Sequence, residues 1–111
     1  MPIVAKNIIP AKNAENTQTT QYVATGVTTI IDKFTATNFS SGAVNMSVNL
    51  ASVGEATGNS NLIVKTIALQ AGETYTFPEI VGHVLPPGGF ISTLASAAAA
   101  VNIRASGREI S

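Results

Sequence analysis

One histidine, His83, and six acids, Glu15, Asp32, Glu55, Glu73, Glu79 and Glu109, are the side chains in this 111-residue chain with the acid–base character that catalysis most often uses. A glycosidase needs two carboxylates facing each other across a cleft, and these acids are scattered along the sequence. A metal needs several ligands at close spacing, and the stretch Val-Gly-His-Val-Leu around His83 supplies none. Cys is absent, which excludes a thiolate nucleophile, a thiolate metal site and a disulfide. The glycines fit neither a phosphate loop nor a dinucleotide fingerprint, and no Asp-rich calcium loop is present. The residues therefore point to no catalytic, cofactor-binding or metal-ligating set, and to a protein that is not an enzyme. Asn38-Phe39-Ser40 and Asn45-Met46-Ser47 match the glycosylation pattern, which arises readily by chance in a chain rich in Asn and Ser.

Charge excludes two further classes of partner. Six basic residues balance six acidic ones. Lys6 with Lys12, and Arg104 with Arg108, are the only basic pairs in short stretches. That is solvation, not the footprint of a nucleic-acid binder. No apolar run reaches the ~20 residues of a membrane-spanning helix. The longest uncharged stretch near the end, residues 84–103, is broken by Pro86, Pro87, Gly88 and Gly89. The N-terminus is interrupted by Lys6 and Asn7 and lacks the apolar core of a signal peptide.

What remains is a neutral skin. Charged residues make up 11% of the chain and hydrophobic ones 45%, whereas soluble domains carry about 25% charge. Thr, Ser, Asn and Ala stand where Lys and Glu usually do. Such a surface is poorly defended against association, and the natural expectation is a structural part bound to something larger. Aromatic residues are 5% and Trp is absent, which weakens a sugar-stacking platform.

The elements that carry this surface have a period of two. Val44, Met46, Val48 and Leu50 alternate with Asn45, Ser47 and Asn49, a strand with one buried face. Val101, Ile103 and Ala105 alternate with Asn102, Arg104 and Ser106. Further strands are expected at 20–25, 27–37, 62–69, 74–77 and 90–94, with Ile63, Lys65, Ile67 and Leu69 sharing a face. Turn residues separate them at 38–42, 54–61, 70–73 and 86–89. In the last of these, Pro87 and Gly88 suit the second and third positions of a type II turn. The alanines 97–100 are too short a run to nucleate a helix and belong in a turn or at the start of the last strand. Strands recurring about every ten residues predict an all-β fold: an antiparallel β-sandwich, jelly-roll-like.

Residues 1–20 differ. Ile3, Val4, Ile8 and Ile9 are apolar, Pro10 ends that stretch, and 11–20 is polar. The expected organisation is an extended N-terminal arm, 1–20, on a single β-sandwich domain, 21–111. The arm would add to a sheet edge, its own or a partner's. Candidate partner contacts are Ile3, Val4, Ile8 and Ile9 in the arm, and Leu85, Pro86, Pro87 and Phe90 around the rigid 86–90 loop.

From the first long strand onward the chain resembles small tailed-bacteriophage virion proteins. The likeness rests on the phrases Ile31-Asp32-Lys33-Phe34-Thr35-Ala36-Thr37-Asn38, the alternating 44–50 strand, Asn61-Leu62-Ile63-Val64, Leu69-Gln70-Ala71-Gly72-Glu73-Thr74-Tyr75 and Ile80-Val81-Gly82-His83-Val84-Leu85. The closing phrase is Val101-Asn102-Ile103-Arg104-Ala105-Ser106-Gly107-Arg108-Glu109-Ile110. Length and composition are similar to those of the capsid decoration, or staple, proteins of short-tailed phages. That resemblance implies a jelly-roll-like protein made in the host bacterial cytoplasm and placed on the outer capsid surface. It implies the major capsid protein as partner and a homodimer on the capsid, with no nucleic acid and no membrane. A tail or neck component, or a carbohydrate or cell-surface binding module, is the alternative.

Overall fold

β-branched and aromatic residues at alternate positions build strands, and Gly, Pro, Asn and Ser end them. The computed structural model describes residues 2–111; Met1, the first residue of the expected arm, lies outside them. Nine strands form: β1 Ile3–Asn13, β2 Thr19–Val23, β3 Thr28–Asn38, β4 Val44–Ala51, β5 Leu62–Leu69, β6 Thr74–Thr76, β7 Val84–Leu85, β8 Phe90–Ala95 and β9 Val101–Ile110. One 3-10 turn, Asn59–Asn61, precedes β5.

The strands pair almost symmetrically about the middle of the chain. Ile3 lies opposite Ile110, Asn13 opposite Asn102, Thr20 opposite Ser92, Thr37 opposite Thr74 and Asn45 opposite Ala68. The chain is thus one long antiparallel ribbon, closed by the 52–61 loop. The ribbon is wound so that β3 also pairs with β9, and β4 with β8. Two sheets result, β1-β9-β3-β6 with β7 also on β3, and β2-β8-β4-β5. Every pairing is antiparallel, and the two sheets form a jelly-roll sandwich.

The inward residues close the core. Phe34, Ile31 and Ala36 of β3, Met46 and Val48 of β4, and Val101, Ile103 and Ala105 of β9 are buried. Phe77, just past β6, meets Phe34 edge-on at 5.2 Å and Tyr75 at 4.8 Å.

The structure joins the expected arm to its own sheet edge and corrects the partner contacts expected of Ile8 and Ile9. Residues 3–13 are a full edge strand along β9, and Ile8 and Ile9 are buried in the domain's own core. The reason is a β-bulge. Register slips between Lys6 and Ile9, so two neighbouring residues both turn inward and the period of two is lost. Pro10 falls in a second slip, between Ile9 and Lys12, where an edge strand tolerates a missing donor. Strand β5 departs from expectation for the same reason. Register slips between Met46 and Val48 of β4, opposite Thr66. The expected face of Ile63, Lys65, Ile67 and Leu69 is therefore split. Val64 and Leu69 are buried, and Lys65 is exposed.

Candidate functional site

Both chain termini and three connections meet at one end of the sandwich. Ile3 pairs with Ile110, and Ile110 with Thr28. Ser111 N donates to Pro2 O at 3.2 Å. Val23, the last residue of β2, lies opposite Phe90, which also lies opposite Ala51, the last residue of β4. The connections 24–27, 52–61 and 86–89 therefore crowd together.

Local chemistry fixes the central turn. Gly89 N donates to Pro86 O at 2.8 Å, and Gly88 has φ +85°, the left-handed third position that a type II turn requires. Gly88 N donates to Ala24 O at 2.7 Å and Ala24 N to Gly89 O at 2.8 Å. These bonds stitch the turn to the 24–27 connection. A Cβ on Gly88 would sit 2.7 Å from the Val53 Cβ, so the 52–61 loop leans on the same turn.

This end is apolar. Ile3, Val4, Val23, Val53 and Val84 are five of the seven large exposed hydrophobic side chains among the described residues, with Val53 70% and Ile3 62% exposed. The other two are Val81, just before β7, and Phe39, at the far end. Pro2, Pro86 and Pro87 add to the patch. Glu55 is the one charged residue in the three connections, and its Oε1 accepts from Ser52 N at 2.8 Å.

A polar latch lies beneath the patch, in the gap between the sheets. The Tyr22 hydroxyl donates to Glu109 Oε2 at 2.5 Å and lies 2.7 Å from the Thr29 hydroxyl, and Lys6 Nζ reaches the same carboxylate at 3.3 Å. Burial, then the bond to Glu109, pushes the Tyr22 hydroxyl up to about 12. The Tyr22 bond, aided by Lys6, holds Glu109 below the usual carboxylate range.

The structure gathers only some of the expected contact residues. Ile3, Val4, Pro86 and Pro87 stand exposed at this end. Leu85, in β7 opposite Thr29, is buried, Phe90 is half-buried, and Ile8 and Ile9 belong to the core. The sequence reading missed Val23 and Val84, because a strand's last turn inside and its first exposed residue look alike in an alternating pattern. Val53, a lone apolar residue in a polar loop, was the available signal.

The acids are all used locally. Glu15 accepts from Lys12 and Gln21, both at 2.8 Å, and these bonds lower its pKa. Arg108 forks onto Asp32, its Nη2 2.9 Å from Oδ1. Glu73 Oε1 accepts from Gln70 N at 2.7 Å and closes the 70–73 turn. Glu79 accepts from Tyr75 at 3.1 Å. Among the described residues no three His, Asp or Glu side chains come together as a metal site. Asn38 is buried with its amide consumed by Gly42 O, Leu69 O and Ser40, which accounts for that sequon without glycosylation.

The fold recurs in known assemblies. One is a chain from the pili of Bacillus endospore appendages, a novel family of disulfide-linked pili, at TM-score 0.56 and 16% identity over 98% of this chain and 88% of that one. Another is a chain from the structure of infectious bursal disease virus, Gx strain, at TM-score 0.61 and 10% identity over 98% of this chain and 33% of that one. At these identities the likeness is one of fold. No family model matches the chain, and no curated protein matches it in sequence.

Proposed function

We propose that this chain is a non-enzymatic virion structural protein that binds the outside of a capsid and staples neighbouring major capsid protein subunits. The observation that carries the reading is the gathering of five exposed apolar side chains, with almost no charge, at one end of a jelly roll. A patch of this kind suits a dry contact with a protein partner. The occurrence of the fold in a virus structure and the resemblance to phage decoration proteins support it. Binding only the mature shell would stabilise that shell by mass action. A homodimer on the capsid fits the long edge strands β1 and β5, whose charges are Lys6, Lys12 and Lys65 alone. The disulfide links of the pili that share this fold are closed to this chain, because it has no Cys.

Co-sedimentation with expanded, undecorated capsids of the parent phage tests the reading. Saturation at roughly hundreds of copies per particle, weakened at least about tenfold by the pair Ile3→Asp and Val84→Asp, is expected from loss of two exposed apolar contacts, one at each edge of the sheet. A handful of copies would move the protein to the tail or neck. Absence of binding would overturn a virion role on the capsid.

A further inference from the structure

The outer face of the β2-β8-β4-β5 sheet is hollowed into a continuous trough. Two depressions, of about 280 and 210 Å³, share Ser47, Thr66 and Leu94. Asn45, Ser47 and Asn49 run along its length on β4, and Lys65 lies on the β5 side. Gln18 and residues 57–59 form its walls at one end.

The floor is held rigid by side-chain amides. Gln18 Nε2 donates to Ser92 Oγ at 2.7 Å and to Asn49 Oδ1 at 3.3 Å. Asn49 Nδ2 donates to Asn61 Oδ1 at 2.8 Å and to Gly58 O at 3.0 Å. Asn49 and Ser92 thus face outward yet are 3% and 1% exposed. Above this floor, the side chains of Asn45, Lys65 and Thr66 make no hydrogen bond within the described residues.

A second observation marks the same place. Thr66 has φ +46°, a left-handed conformation that is a true outlier for a β-branched residue. It sits on the β5 bulge, with its N–H held by Ser47 Oγ at 2.8 Å. Backbone strain of this kind collects at binding sites, where surrounding structure maintains it.

We propose that the trough binds a neutral carbohydrate chain. The side chains of Asn45, Thr66 and Lys65 are left to meet a sugar's hydroxyls, and the mostly apolar remainder of the exposed lining suits the C–H faces of its rings. Lys65 is the one charged lining residue, so a polyanion has little to hold it. Leu94 offers an apolar spot for the C–H face of a ring. The trough is open and elongated, as an extended chain requires. A peptide strand would add along the free edge of β5, at the rim of the trough, whereas the trough itself lies over β4 and β8, which are paired on both sides. The inference stands apart from the capsid reading, since the trough touches the apolar end only at residues 57–59 and runs away from it along the sheet face to Asn45 and Ser96.

Affinity electrophoresis through gels containing dextran, mannan or arabinogalactan, with heparin as the polyanion, tests it. Retardation by at least one neutral polysaccharide is expected, weakened roughly tenfold by Asn45→Ala through loss of its hydrogen bonds. Thr66→Gly should weaken retardation to a similar degree while raising Tm, because glycine relieves the left-handed strain; lost binding in a more stable protein cannot be unfolding. Retardation by heparin alone, by no neutral polysaccharide, or unchanged in both variants would overturn the proposal. So would a loss of capsid co-sedimentation in Asn45→Ala without any sugar binding, which would make the trough a protein contact.

Discussion

Gly107 shows how tightly single positions are set. It lies in β9 between two neighbours that both slip register there, β1 after Lys6 and β3 after Ile31. A Cβ at this position would come 2.5 Å from the Ile30 carbonyl oxygen. That neighbour is backbone and cannot swing aside. Gly107→Ala is expected to cost roughly 1–3 kcal/mol, in the range of overpacked cores, read as a lower denaturant midpoint with unchanged slope. The Tyr22–Glu109 latch gives a second test, through pH. The folded pKa of Tyr22 is raised from 10.0 to about 12, so its contribution is full below pH 10 and is lost as pH climbs through 12. That of Glu109 is lowered from 4.5, so its contribution is present above that value and is lost as pH falls through the lowered one. Thermal melts across pH should show both losses. Tyr22→Phe should abolish the alkaline one, shrink the acid one, and cost about 1 kcal/mol at neutral pH for the lost hydrogen bonds.

At the scale of elements, legibility followed regularity. Strands β4 and β9 keep alternating runs and β3 a long β-branched one, so all three could be read directly, as could the 86–89 turn, whose Gly88 needs a left-handed φ. The inward faces of β1 and β5 were misread where bulges break the period, since a bulge answers to its neighbours and leaves no local mark. β7, two residues long, is too short to show any period. The candidate site was half legible for a related reason: Ile3 and Pro86 are apolar and near turns, but their meeting depends on which strands pair. The corrected β1 changes what truncation means. Deleting residues 1–10 strips β9 of its neighbour and removes Ile8 and Ile9 from the core. The truncated chain is expected to lose its cooperative thermal transition, as judged by circular dichroism and calorimetry. Substitutions at Ile3 or Val84 test the surface without that loss.

For the whole molecule, the ribbon topology joins residues far apart in sequence at nearly every pairing. Such folds are slow, on the order of milliseconds to seconds, and leave strand edges open meanwhile. Net charge is +0, and the docking end carries hardly any charge. Association through it is therefore expected to respond little to ionic strength, unlike a steered, charge-matched contact. Titrating capsid binding from low to physiological salt should move Kd by less than about twofold. A steep fall would mean that Arg104, Arg108 or Lys33, on the outer face of the other sheet, carries the contact.

The closeness of Ser111 to Pro2 bears on how cargo could be displayed. A tag fused to either terminus would emerge from the apolar end and stand between the protein and its proposed capsid partner. Joining the two ends through a short linker and reopening the chain within 39–43, at the far end, would produce a circular permutant with new termini pointing away. Surface loops of this kind tolerate such cuts, and the closeness of Pro2 and Ser111 makes the rejoining geometrically easy. Fusions built on the permuted chain would leave the apolar end clear.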